Sequence, residues 1–137
     1  MDNREVRAAV DALDWQLMWA TVAGIGLVCW RVLSATLILA SEDGSLLLAS
    51  AVLLEAVVCG ALVVAMRRNR LAAAVALVII WAVGFFYAWY ASGQIVPPFA
   101  LISILIGVGL VQGIRSIVGR RTMALVESND VKGQGHR

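Results

Sequence analysis

The chain has 137 residues, 61% of them hydrophobic and 15% charged, with a mean hydropathy of +0.88 and a formal net charge of +2. Globular domains use about 45–50% apolar residues, so this composition excludes an ordinary soluble domain and points to a membrane protein. A charge this small, with no basic surface carrying interleaved aromatics, excludes nucleic acid as a partner.

Residues 1–14 mix Arg4 and Arg7 with Asp2, Glu5, Asp11 and Asp14. Val6, Ala9, Val10 and Leu13 recur at helical spacing, and Asp2 with Glu5 forms a capping-box pattern. The expectation is a cytoplasmic amphipathic segment, either a short helix on the membrane surface or an extra turn or two of the first span. An acidic start and the long apolar run from Trp15 to Ala40 do not fit a cleavable signal peptide, so the run reads as a retained span.

The first span is expected at about residues 15–40, with Trp15 and Trp19 at the interface. Ala20 and Gly24 make a small-xxx-small pair, and Gly24, Val28 and Arg31 share one face. Ser41 to Ser45 is the turn. A second span, about 46–66, carries the pair Ala56 and Gly60 and an interior face through Ala51, Val52, Glu55 and Cys59. Arg67, Arg68 and Arg70 then form a compact basic turn, read as a cytoplasmic anchor. The third span, about 71–91, has no charge and ends in an aromatic cluster from Phe85 to Tyr90, as a plain lipid-embedded helix would. Pro97 and Pro98 open the fourth, about 97–114, whose Ser103, Gly107, Gly109 and Gly113 give a small-residue face suited to close helix packing. Residues 119–137 lack apolar content and read as a mobile cytoplasmic tail.

The fold class expected is therefore all-α: four transmembrane helices within residues 15–118, in a small antiparallel bundle. Basic residues flank only one side of it. Arg4, Arg7, Arg67, Arg68, Arg70, Arg115, Arg120 and Arg121 all fall there, whereas the connections at 41–45 and 92–94 have none. The positive-inside rule then puts both termini in the cytoplasm of a bacterial inner membrane, the protein being multi-pass.

Two charges interrupt the first hairpin. Arg31 lies twelve residues before Asp43 and Glu55 twelve residues after it, so folding the turn brings them level. Each would sit roughly 15 Å below its helix end, about halfway through a ~30 Å hydrocarbon core. A charge at that depth costs at least ~2.5 kcal/mol and needs a partner or a wet cavity. One reading is an ion pair that sets the register of the hairpin. Another makes Glu55, with Arg31 as its switchable counter-ion, a working ion or proton site, with Ser34, Thr36 and Ser50 as nearby hydroxyls.

Nothing else resembles chemistry. Cys29 and Cys59 lie in apolar runs without a C-x-x-C motif, and the single histidine, His136, is next to last. With no nucleophile and base, phosphate loop or metal-ligand cluster, no catalytic residue, metal or cofactor is expected and the protein reads as non-enzymatic.

At Arg67 to Ala73, RRNRLAA, and at Gly113 to Ser116, GIRS, the chain resembles uncharacterised small four-span bacterial inner-membrane proteins. In these a polar R-x-x-R-x-A-A turn enters helix three, and the last helix ends in G-x-R-G-T and an aromatic. Here Ser116 replaces the second glycine, and Ile117 and Val118 follow. The resemblance implies the architecture and carries no function. The expectation is an accessory or assembly subunit, packed by its fourth helix against a membrane-protein partner or a second copy and surrounded by lipid. The alternative is a small oligomeric transporter or channel using Glu55 and Arg31.

Overall fold

The computed structural model describes residues 3–41, 44–92 and 97–134. Among them the only regular elements are four helices, α1 (Asn3–Ala40), α2 (Leu46–Arg67), α3 (Leu71–Ser92) and α4 (Pro97–Gln134), each long and apolar enough to cross a membrane.

Local chemistry accounts for where the helices stop. The Ser41 hydroxyl donates to the Ile38 carbonyl at the end of α1, and Ser45 caps α2 by accepting from the Leu48 N–H. At the other end of α2, the amides of Arg68, Asn69 and Arg70 fold back on carbonyls from Val64 to Met66. Asn69 takes the left-handed conformation, φ 58°, that lets the chain reverse into α3.

α1 and α4 have 38 residues each, which at 1.5 Å per residue is roughly 57 Å and far more than one bilayer core. From Asn3 onward, residues 1–14 are the opening of α1 itself, the second of the two expectations, though longer than the turn or two foreseen. A difference concerns the tail. Residues 119–134, expected to be mobile, continue α4 without a break.

The two extensions support each other, which composition taken span by span does not reveal. Ser116, fully buried, donates its hydroxyl to the Leu13 carbonyl across the two helices at 2.8 Å. Leu13 lies over Gly119, where a Cβ would stand 2.8 Å from its Cδ2. One turn on, Arg120 pairs with Asp14. With no proline to interrupt them and good helix formers such as Met123, Ala124 and Leu125, these residues extend the helix once one side is covered.

α1 packs on α2 and α4, and α3 completes the ring by touching α2 and α4 less closely. The buried core gathers toward the α2–α3 turn, around Cys59, Met66, Leu77, Leu110 and Ile117. Toward the α1–α2 turn, the buried described residues are the small Ala35, Ala49 and Ala56, while Leu46, Leu47 and Tyr90 are exposed. The bundle is tight in one half and open in the other.

Candidate functional site: an ion pair inside the bundle

Arg31 and Glu55 meet where the packed half gives way to the open half. Arg31 Nη2 is 2.9 Å from Glu55 Oε1, and the two side chains remain 19% and 34% exposed. Two turns before Arg31, Gly24 lets the helices close: the place of its missing Cβ is filled by Val63 of α2. That approach carries the guanidinium across to the carboxylate.

α3 contributes a residue that sequence reasoning missed. The Arg31 guanidinium lies directly over Gly84, whose absent side chain leaves the space that Nη2 occupies. Arg31 is thus held among three helices, and its buried Nε has no hydrogen-bond partner among the described residues. A glycine inside a helix costs about 1 kcal/mol relative to alanine, which was the available signal in a span read as featureless. Trp81 carried a second signal, because an indole N–H far from the interface needs an acceptor. It donates to the Ser103 carbonyl at 2.9 Å. With Gly84 and Trp81 both engaged, α3 is more than a lipid-embedded span.

The hydroxyls near the pair do not extend it. Ser34 donates to Trp30, Thr36 to Val32 and Leu33, and Ser50 to Leu47, all carbonyls of their own helices. On α2 the buried face runs through Ala49, Ala56, Cys59, Val63 and Met66. Ala51, expected on that face, is exposed, Val52 and Glu55 are half-buried, and the buried stripe passes through Ala56. Cys59 is buried one turn from Glu55, whereas Cys29 is exposed and lines a groove of about 450 Å³ between α1 and α4. The two thiols occupy different faces.

The small-residue face of α4 is filled by the chain's own helices. A Cβ at Gly107 would run into the Trp81 ring, one at Gly109 would stand 2.6 Å from Ala23 Cβ, and one at Gly113 would stand 2.8 Å from Ala20 Cβ and 3.1 Å from Met66 Sδ. Close packing is its use in this structure, against α1, α2 and α3. Gly60 of α2 is the opposite case, with open space where its side chain would be.

Arg67, Arg68 and Arg70 are all exposed at the α2–α3 turn. Among the described residues no three His, Cys, Asp or Glu side chains come close enough to hold a metal. The arrangement of Arg31 and Glu55 can lock helix register, and it leaves a partly open carboxylate able to accept one more donor. No family model, curated protein or solved structure matches the chain, so the likeness carried by RRNRLAA and GIRS has no identified relative behind it.

Proposed function

We propose that the chain is a non-enzymatic accessory or assembly subunit of a bacterial inner membrane, an antiparallel four-span bundle with both termini in the cytoplasm. The observation that carries this reading is the half-packed bundle with a mid-span ion pair at the limit of its packing. In a membrane, exposure of Glu55 means contact with hydrocarbon unless water or another helix covers it, and a charge left there is costly. A partner helix seated on the open half would shield the pair and give its carboxylate a second donor. The antiparallel arrangement is supported by contacts that descend α4 as they climb α1: Gly119 with Leu13, Gly113 with Ala20, Gly109 with Ala23 and Gly26 with Ile106.

A photocrosslinking residue at Leu47 or Tyr90, both exposed in the open half, should form one reproducible protein adduct in native membranes. The same residue at Val64, exposed beside the packed half, should give lipid adducts only. Absence of protein adducts at all three, together with a proteoliposome cation flux abolished by Glu55→Gln, would replace this reading with the transporter or channel.

For topology, a membrane-impermeant maleimide should label Ser41→Cys on intact cells and Ala124→Cys only after permeabilisation. Both positions are exposed and carry no charge that sets orientation. Labelling of Ala124→Cys on intact cells would reverse the assignment.

A further inference from the structure

We propose that the α2–α3 turn and the adjoining part of α4 form a binding site for the headgroup of an anionic phospholipid, with Arg67, Arg68, Arg70 and Arg121 as its cationic groups. The turn is rigid. The Arg68 amide donates to Val64 and Ala65 carbonyls at 3.3 and 3.1 Å, Asn69 to Met66 at 2.9 Å and Arg70 to Ala65 at 3.3 Å, so three arginines spring from a fixed backbone.

Register brings in the fourth. Leu110 and Ile117 of α4 are fully buried, Ile114 packs against the same core, and Arg121 is the next residue on that stripe. Met66 lies level with Gly113, so α2 leaves the bundle there while α4 continues. Arg121, eight residues further and roughly 12 Å along the axis, therefore comes on the inward stripe beyond the point where α2 and α3 turn back, and it is exposed.

Arg31 is held by Glu55 and Arg120 by Asp14, but Arg67, Arg68, Arg70 and Arg121 meet no carboxylate among the described residues. A phosphodiester offers two charged oxygens suited to bidentate guanidinium contacts. Depth selects a lipid as its source. The 22 residues of α2, roughly 33 Å, cross a ~30 Å hydrocarbon core and leave the turn at the level of headgroup phosphates.

The test reconstitutes the full chain in phosphatidylcholine nanodiscs and titrates in dansyl-acyl phosphatidylglycerol or dansyl-acyl phosphatidylcholine, with energy transfer from the native tryptophans as readout. The wild type should favour the phosphatidylglycerol probe at least about fivefold, the worth of one basic side chain at an anionic surface. Arg121→Gln, which leaves the turn and its orienting charges intact, should cut the preference by a similar factor. Arg67→Gln/Arg68→Gln/Arg70→Gln should abolish it, and inorganic phosphate at millimolar concentration should not compete. Arg4→Gln/Arg7→Gln, which removes exposed charge at the start of α1, should leave the preference unchanged. The proposal is overturned by equal transfer to both probes in the wild type, by an unaffected Arg121→Gln, by a loss in Arg4→Gln/Arg7→Gln as large as at the turn, or by displacement with free phosphate.

Discussion

Arg31→Leu alone, or Glu55→Leu alone, is expected to destabilise the protein by about 3–5 kcal/mol, because each leaves the other charge in the membrane without its counter-ion. The exposure of Glu55 does not soften this as it would in a soluble protein, since hydrocarbon does not screen. Joining both changes should recover most of the loss, with a coupling of at least about 1 kcal/mol in a double-mutant cycle. Gly84→Ala provides an approach from the third helix: its new methyl group enters the space held by Arg31 Nη2, so it should loosen the pair without altering either charge. Reversible unfolding in mixed micelles reads all four variants. If the two leucine changes simply add, the ion pair contributes nothing to the fold. If stability returns in the double variant while partner crosslinking does not, the pair is part of the working surface as well as of the fold.

The second large effect is expected at Gly113. Leucine there must displace Ala20 and Met66, neither of which has room to retreat in the packed half, and overpacking of this kind costs about 1–3 kcal/mol. The upper end is expected, because the close approach of α1 to α4 is lost along with local fit. Gly60→Leu is the matched control, since nothing lies within 4 Å of its would-be Cβ. It should be neutral or stabilising by up to about 1 kcal/mol, because it removes a helix-interior glycine without meeting a neighbour. Equal unfolding midpoints for the two variants would mean that the α4 face does not pack as described.

Much of this was legible beforehand, for identifiable reasons. Four apolar runs separated by charged or glycine-containing breaks leave little choice of element. The spacing of Arg31 and Glu55 about Asp43 anticipates their meeting, because an ion pair flanking one turn is a local, countable relation. Contacts between distant helices were not countable in that way. Gly84 carries no charge to mark its role, and Ser116, which stands where the resembled motif has its second glycine, has no local pattern that points to the Leu13 carbonyl as its acceptor. The tail is the clearest case: it is helical to Gln134, and α1 meets its first turn through Leu13 and Asp14, a contact that the tail's own polarity does not announce. Pattern along a chain reports what a segment can bury, not what another segment will cover.

The seam between α1 and α4 also bears on the order in which the molecule is made. Synthesis proceeds from the amino end, so α1 enters the bilayer long before α4 exists. During that interval Ala20 and Ala23 face lipid in place of Gly113 and Gly109, and Leu13 and Asp14 wait without Ser116 and Arg120. The first helix is thus covered on this side only by the last one to be made. A chain that ends before α4 retains both members of the Arg31–Glu55 pair but lacks the surface that covers Ala20, Ala23 and Leu13 in the finished bundle.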